Sequence, residues 1–485
     1  MTNASTIRHY WKRCTQRALT ISLLVTTGLC LVLFTGTTSH DSGIGYLEAH
    51  LKHRPSQDST ARYASPRGSK SGLPPFCGNF DVSNIAISIK TGATEARNRV
   101  PTQLMTFLHC IPDVMIFSDL DQTLGDKQMH DVLSRFSEAA MKGNDEFEIY
   151  LKQQELANHG READLPSLSS IPITTQDWRT EGKNAAWGLD KYKFLYMVER
   201  AWELQPDRDW YVFLEADTYL SISNLLQFLN AQDSKEKLYF GNSLRMWEHP
   251  TPLNFAHGGS GFILSGATVK DFAVTHEGIP AKFDQRVRDW WYGDFVLADA
   301  LDEELHIQVT DATPMLNSDE PSLIPFGEHV WCKPVITLHH MDARQFDDMY
   351  KFQRAHLPSR REAWDNLSDD GRFALDVVPN DVGQVESDVE PNHLVDPHQS
   401  YEACEVACSQ IEQCFQFSFT QRAIRMSNGD TESQTECHMS SVFRLGREAQ
   451  PNESKGHRDS GWNSERIANW IEEHRDCGEN EDWST

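Results

Sequence analysis

Two acidic residues directly follow a strand-like segment near the middle of the chain. The segment Trp210-Tyr-Val-Phe-Leu is uniformly apolar, as expected for a strand that is covered on both faces, and Glu215-Ala-Asp217 comes next. Carboxylates at positions i and i+2 can share a hard divalent cation, whose shell the oxygens of a nucleotide diphosphate can complete. The same pair also occurs in ordinary polar loops, so other segments must decide between these interpretations.

Three later segments contain further residues of chemical interest. The glycines of His257-Gly-Gly-Ser-Gly261 would let the backbone approach a bulky ligand, although a structural turn explains them equally well. Asp294 follows the aromatic run that begins at Trp290, which suits a general base beside a sugar ring, and a helix N-cap is the alternative. His339 and His340 follow an apolar strand and could join a metal shell or be ordinary core histidines.

The pattern around these segments alternates between strands and helices. Residues 84–90 alternate as in a strand, a helical stretch follows the Thr91-Gly92 turn to about Leu108, and residues 113–118 form a second apolar run. Residues 187–204 then have helical spacing before the strand at Trp210. This order predicts an α/β fold with a largely parallel sheet, in which ligands bind at the carboxyl ends of strands.

The composition excludes several classes of protein. The 485 residues include 45 basic and 71 acidic side chains, a net charge of −26, which argues against a nucleic-acid partner. A hydrophobic content of 39% is too high for a disordered chain and too low for a multispan membrane protein. The sequence also lacks a phosphate-binding loop, a dinucleotide fingerprint after the first strand, a zinc-protease helix and a nucleophile elbow.

The first 40 residues predict a membrane anchor. Residues 18–38 are uncharged and long enough to cross a bilayer, and Arg8, Lys12, Arg13 and Arg17 precede them. We therefore expect a cytosolic tail at 1–17, a transmembrane signal anchor at 18–38 and a lumenal body, with a cleaved signal peptide as the alternative. Without those four cations the chain has 41 basic and 71 acidic residues, or −30. Residues 39–75 are polar and form the expected stem.

A lumenal location favours disulfide bonds for eight of the ten cysteines. Asn366 and Asn452 begin glycosylation sequons that support the same topology. The polar, acidic residues 351–395 are expected to be a linker.

Taken together, these segments resemble the inverting β-1,3-glycosyltransferases of the Fringe and core 1 galactosyltransferase type, over residues 84–345. The resemblance implies a GT-A-like, Rossmann-related catalytic domain, here expected at 76–350, that binds a UDP-sugar with Mn²⁺ or another divalent cation. It also implies a type II protein of the Golgi membrane. The segments that match, in the order of the family, are Ile87-Ser-Ile-Lys-Thr91-Gly92, Trp187-Gly-Leu-Asp-Lys191-Tyr-Lys193, Trp210–Tyr219, Leu238–Gly241, His257–Phe262, Gly293-Asp294 and Leu338–Met341.

The resemblance assigns roles to individual residues. Asp217 falls on the last acid of the family's metal-binding motif, Glu215 falls on its first acid, and His339 falls on the late metal-ligand histidine. Asp294 falls on the general base, which would take a proton from the acceptor hydroxyl and so invert the α-linked donor to a β-linked product.

The resemblance also covers residues expected near the nucleotide, and two residues of this chain depart from the family pattern. Thr91 falls in the first nucleotide-binding loop, and Lys191 or Lys193 is expected near the nucleotide. Two residues depart from the family, because Glu215 replaces an aspartate and Gly293 replaces a glutamate. Four tryptophans could offer surfaces on which sugars stack, although most of the 13 tryptophans are expected to be packing residues: Trp187, Trp247, Trp290 and Trp291.

The C-terminal region resembles a PAN/apple-type module at 396–450, followed by a tail at 451–485. The module's resemblance fits the pairs Cys404–Cys437 and Cys408–Cys414, although four cysteines allow three connectivities and zinc is a competing interpretation. Cys77 with Cys110, and Cys332 with Cys477, are the remaining candidate pairs.

Two functions follow as expectations. The first is a UDP-sugar-dependent transferase that moves a hexose in β-1,3 linkage to a glycan or glycoprotein acceptor, with galactose expected from the resemblance to core 1 enzymes. The second is a catalytically inactive carbohydrate-binding or adhesion protein that uses the PAN-like module, which the changes at Glu215 and Gly293 favour.

Overall fold

The computed structural model describes residues 77, 80–172, 184–356, 396–425, 431–446 and 457–474. The expected cytosolic tail, membrane anchor and stem, both sequons and Cys477 lie outside this part of the chain. Among the described residues, no helix is both long enough and apolar enough to span a bilayer.

A mixed, parallel-rich sheet forms the centre of the molecule. Its eight strands lie in the order β11-β7-β10-β5-β1-β2-β4-β3. Neighbours are parallel from β5 through β1 and β2 to β4, and β10 runs antiparallel to both β5 and β7. The strands of this sheet are β1 (Ile85–Lys90), β2 (Met115–Ser118), β3 (Gln122–Leu124), β4 (Lys127–Asp131), β5 (Trp210–Glu215), β7 (Tyr239–Gly241), β10 (Phe262–Ser265) and β11 (Thr310–Asp311).

Two short strand pairs lie outside the central sheet. β6 (Tyr219–Leu220) pairs antiparallel with β12 (Thr337–Leu338), and β8 (Ser243–Met246) forms a hairpin with β9 (Leu253–Ala256). The α-helices between residues 80 and 356 are α1 (Ala96–Met105), α2 (Glu138–Met141), α3 (Glu148–Asn158), α4 (Ala185–Gly188), α5 (Phe194–Leu204), α6 (Ile222–Asn230), α7 (Gly266–Lys270), α8 (Ile279–Val287), α9 (Gly293–Leu305) and α10 (Ala343–His356).

Both faces of the sheet are buried, which confirms the predicted α/β fold. Ile87 and Val212 face a core cluster that includes α1, α6 and α10, whereas Ala86 and Tyr211 face a second cluster with α3, α5, α8 and α9. Every residue of β1 is buried, although its sequence alternates in the way expected of a half-exposed strand. The polar position Ser88 is accommodated because its hydroxyl donates a hydrogen bond to the Val212 carbonyl at 3.2 Å.

The C-terminal module is a three-stranded sheet with two helices. β13 (Gln416–Arg425) lies between β14 (Thr431–Ser440) and β15 (His457–Trp462), and the helices are α11 (Tyr401–Gln410) and α12 (Ser464–Glu473). The structure thus differs from the predicted boundary at 450, because β15 and α12 belong to the segment expected to be a tail. β15 reads His-Arg-Asp-Ser-Gly-Trp, and so polar an edge strand has no apolar pattern to reveal it.

The cysteine predictions are confirmed where the structure describes both partners. Disulfide bonds join Cys77 to Cys110, Cys404 to Cys437 and Cys408 to Cys414. The zinc interpretation of the C-terminal cysteines is therefore wrong, because their sulfurs are bonded to one another. Cys332 is also disulfide-bonded, and its expected partner Cys477 lies outside the described residues.

Candidate functional site

Charged residues gather at the carboxyl edge of the central sheet. Lys90 and Glu215 are the last residues of the parallel neighbours β1 and β5, and they lie in register with each other. Asp119 follows β2 directly, so it reaches the same edge. This is the edge at which an open α/β sheet binds ligands.

Five charged residues at this edge form a group that we call the lysine network: Lys90, Lys193, Asp119, Asp190 and Glu215. The Lys90 Nζ lies 3.1 Å from both Asp190 Oδ2 and Glu215 Oε1. The Lys193 Nζ lies 2.7 Å from Asp190 Oδ1 and 3.2 Å from Asp119 Oδ2. Burial alone would lower the pKa of Lys90 and raise that of Asp190. The mutual attraction outweighs it, so the pKa of Lys90 is raised and that of Asp190 falls to about 2.

A second group, the Asp–His cluster, consists of Asp217, His339 and His340. Asp217 Oδ1 lies 3.3 Å from His339 Nε2, and Asp217 Oδ2 lies 4.0 Å from His340 Nδ1. The pairing of β6 with β12 brings these segments together, and the Met341 amide donates to the Asp217 carbonyl at 3.0 Å. One ligand atom from each of the three side chains lies within 4.8 Å of the others.

This donor set fits a divalent cation. One carboxylate and two imidazoles suit Mn²⁺ or a similar transition metal. His339 Nε2 lies 3.3 Å from Asp217 Oδ1, so the ring nitrogen that such a cation would bind is next to the carboxylate. Arg99 Nη1 now lies 3.0 Å from Asp217 Oδ2. Burial would raise the pKa of Asp217, but His339 and Arg99 hold it well below its usual range.

The turn that follows β9 connects this cluster with Asp294. The Gly258 amide donates to Asp294 Oδ2 at 2.7 Å. A Cβ atom at Gly258 would lie 2.8 Å from the Phe194 ring and 3.3 Å from Asp294 Oδ2, and one at Gly259 would lie 2.1 Å from the His339 ring. Both positions therefore require glycine, because the backbone at Gly258 and Gly259 leaves no room for a side chain beside the Asp294 carboxylate and the His339 ring.

Asp294 is buried in the first turn of α9. Its Oδ1 accepts a hydrogen bond from the Phe295 amide at 2.8 Å. Burial raises the pKa of Asp294 to about 6, and the nearby charge of Glu215 adds to this rise, whereas the two backbone hydrogen bonds oppose it. The N-cap of α9 is Tyr292, so the alternative interpretation of Asp294 as an N-cap is wrong. A carboxyl group with this pKa is able to act as a base near neutral pH.

Steric crowding explains why position 293 is a glycine. A Cβ atom there would lie 2.5 Å from both the Cα and the carbonyl oxygen of Lys191. Lys191 is itself held in place, because its Nζ lies 2.9 Å from Glu146 Oε2 and 5.5 Å from the centre of the Trp291 ring. The backbone of Lys191 thus fills the space that a side chain at 293 would need.

The structure separates the predicted site residues into three places. Asp217 and His339 come together, Glu215 joins the lysine network, and Asp294 lies across the glycine turn. The Thr91 carbonyl accepts a hydrogen bond from Lys193 at 2.9 Å, and the Thr91 hydroxyl is buried without a partner. The metal, nucleotide and catalytic roles of these residues stay predictions.

Sequence reasoning missed three charged residues of this region. Lys90, Asp119 and Asp190 belong to the lysine network, and none was singled out as a site residue. The available signal was a charged residue at or just after the end of an apolar strand, which describes Lys90 and Asp119. Of the tryptophans considered as sugar platforms, Trp247 is 70% exposed, whereas Trp290 packs against Phe295.

Comparisons with known proteins indicate what this domain is similar to. Residues 180–323 match the family model described as Fringe-like. The match contains Glu215, Asp217 and Asp294 and ends before His339. The resemblance to glycosyltransferases of this type is thus confirmed for that part of the chain, and it supports glycosyltransferase activity.

A solved structure is also similar to this chain. It is a glycosyltransferase involved in the glycosylation of the major capsid of PBCV-1, at 10% sequence identity and a TM-score of 0.24. The alignment covers 55% of this chain and 99% of that protein.

Proposed function

We propose that this protein is an inverting glycosyltransferase that moves a hexose, with galactose as the first candidate, from a UDP-sugar to a glycan or glycoprotein hydroxyl in β-1,3 linkage. One observation supports this most strongly. The His257-Gly-Gly turn contacts the buried Asp294 through Gly258 and the Asp–His cluster through Gly259, so a candidate base and a candidate cation site flank one segment of backbone.

The residues divide the work by their chemistry. Asp217 and His339 would hold a divalent cation, with His340 beside them, and Glu215 contributes its charge from the lysine network. When bound, such a cation neutralises the departing nucleotide diphosphate. Thr91 would lie near the donor in the loop after β1, whereas Lys191 and Lys193 are held by carboxylates.

Asp294 would perform the proton transfer. As a carboxylate it accepts the proton of the acceptor hydroxyl, whose oxygen attacks the anomeric carbon from the face opposite the nucleotide. The Gly258 amide keeps the Oδ2 atom fixed during this step, because it donates to that oxygen. A single displacement of this kind converts an α-linked donor into a β-linked product.

A type II topology in the Golgi membrane is part of the proposal. The disulfide bonds support an oxidising compartment. The basic tail and apolar run at residues 1–38 support an anchor whose lumenal side carries the transferase.

The decisive test is a panel of UDP-sugars assayed for hydrolysis or transfer with and without Mn²⁺. We expect turnover of at least one donor, with UDP-galactose tested first, and loss of turnover on chelation. Asp294→Asn should lower the rate by about 10²–10⁴-fold. Asp289→Asn is the matched control, because Asp289 is exposed and lies just before the same helix.

The alternative function makes the opposite prediction. Absence of turnover with every donor, together with binding of the protein to a glycan array, would support an inactive carbohydrate-binding protein. Full activity of Asp294→Asn in a correctly folded protein would overturn the role of Asp294.

A further inference from the structure

A loop between β11 and β12 lies behind the Asp–His cluster. The His339 amide donates to the carbonyl of Asp319 at 3.2 Å. Asp319 is the first residue of a segment, 319–326, that we call the support loop. Within the loop, Glu320 is buried and contacts the side chains of Ser322 and Gln345. The position of His339 thus depends on the order of the support loop.

The C-terminal module forms hydrogen bonds with the far side of the support loop. Phe326 and Phe443 exchange backbone hydrogen bonds of 2.8 and 3.0 Å, as in a short antiparallel pair. The Gly446 amide donates to the Ser322 carbonyl at 2.6 Å, and Arg444 Nε donates to the Leu323 carbonyl at 3.1 Å. Residues 443–446 of the module therefore satisfy backbone groups of the loop.

The apolar contact between module and transferase is continuous with the main core. Phe443 of the module belongs to the same buried cluster as Phe326 and Trp331. The Trp331 ring lies 5.3 Å from that of Trp470, and its Nε1 donates to the His474 carbonyl at 3.0 Å. A module on a flexible tether would not share a core with the domain it follows.

From these contacts we propose that the C-terminal module is a built-in part of the cation site, in which Arg444 is a positioning residue that fixes the support loop and, through it, His339. The proposal rests on the function proposed above. It assigns the module a task within the transferase, beyond any capture of an acceptor.

The test compares two arginine variants of the full-length protein. Arg444→Met removes the side-chain hydrogen bond to the Leu323 carbonyl. Arg422→Met is the matched control, because Arg422 is a half-buried arginine of the same module that pairs with Glu436. Mn²⁺ affinity is measured by electron paramagnetic resonance in the presence of UDP. Hydrogen exchange at the His339 amide is measured without metal.

We expect Arg444→Met to weaken Mn²⁺ binding by about tenfold, the lower end of the range for residues that position a ligand. Exchange at the His339 amide should become faster, while Arg422→Met leaves both values unchanged. Arg444→Met with wild-type exchange and wild-type affinity would overturn the proposal, as would equal effects of the two variants.

Two outcomes need separate treatment. If Arg444→Met does not fold, as judged by thermal unfolding, Arg444→Lys retains the positive charge and a donor group at this position and should show a smaller change in the same direction. If the wild-type protein binds no Mn²⁺, the cation part of the proposed function fails. Hydrogen exchange at His339 then decides the positioning role alone, since it requires no metal.

Discussion

Glu215 and Asp217 are two residues apart, yet they lie in different electrostatic environments. Glu215 ends β5 and pairs with the buried Lys90, whose charge it helps to balance. Asp217 faces two imidazoles and one partly exposed guanidinium, that of Arg99. Each lysine of the lysine network therefore pairs with two of its carboxylates, whereas the Asp–His cluster has nitrogen and oxygen atoms suited to a cation. Two acids of one motif can thus have different roles.

The direction of the chain after β5 explains the separation. Glu215 is still within the strand and in register with Lys90 of the parallel neighbour. Asp217 lies beyond the strand, and β6 then leads the chain to β12 and its histidines. Five predictions test this contrast and its effect on Asp294.

The largest effect is expected on stability when the lysine network loses its buried cation. Lys90→Met leaves Asp190 and Glu215 without this partner, and removing one member of a buried ion pair costs about 3–5 kcal/mol. Both carboxylates are partly exposed, so we expect the lower end, about 3 kcal/mol, in urea unfolding. Lys235→Met is the exposed control. Equal stability of the two variants would show that the network is not a structural unit.

The second prediction compares the two acids directly. Asp217→Asn should weaken Mn²⁺ binding in the presence of UDP by at least about 100-fold, because outer residues alone account for about 10–100-fold. Glu215→Gln should have a much smaller effect, since Lys90 holds its carboxylate. Calorimetric titration measures both. Equal losses would mean that the two acids bind one ion, as the sequence motif predicts.

The third prediction concerns Asp294, whose pKa is raised by burial and by the negative charge of Glu215. With a pKa of about 6, its carboxylate is the minor form at pH 5, so kcat/KM should rise about tenfold per pH unit below 6 and level off above about 7. Glu215→Gln should move the midpoint to lower pH, because it removes a charge that raises this pKa. An unchanged midpoint would disprove the coupling.

The raised pKa of Asp294 changes stability with pH in the direction opposite to its effect on activity. The pKa of Asp294 is raised in the folded protein, so the folded state binds more protons than the unfolded state between about pH 4 and 6. Its contribution to stability is fully present below pH 4 and is lost as the pH rises through 6. Asp294→Asn should remove this part of the pH dependence in thermal unfolding.

The smallest effect is expected at Arg99. Its guanidinium is 45% exposed, and a surface ion pair of this kind contributes about 0–1 kcal/mol to stability. Arg99→Ala should strengthen Mn²⁺ binding slightly, by at most about fivefold, because the cation no longer competes for Asp217. Arg97→Ala, which removes an arginine of the same helix that pairs with Glu162, is the control. Weaker binding in Arg99→Ala would instead indicate that Arg99 helps to hold the donor.

Much of the architecture could be read from the sequence because it depends on local pattern. The apolar run at Trp210 predicted β5, and the spacing of residues 187–204 predicted helical structure, which the chain forms as α4 and α5 with a short break between them. The cysteine spacing indicated Cys404–Cys437 and Cys408–Cys414. β15 was missed, since its polar residues are held by pairing with β13 and not by burial of an apolar face.

The sequence by itself determined which residue types are available for chemistry: an acid pair after a strand, a glycine turn, a lone aspartate among aromatics and a late histidine pair. Only the tertiary structure decided how they are grouped. Glu215 pairs with Lys90 because β1 and β5 are parallel neighbours. Asp217 lies beside His339 because β6 pairs antiparallel with β12, which is far away in the chain. The physical reason is that charge balance and burial depend on neighbours in space, which residue spacing along the chain does not specify.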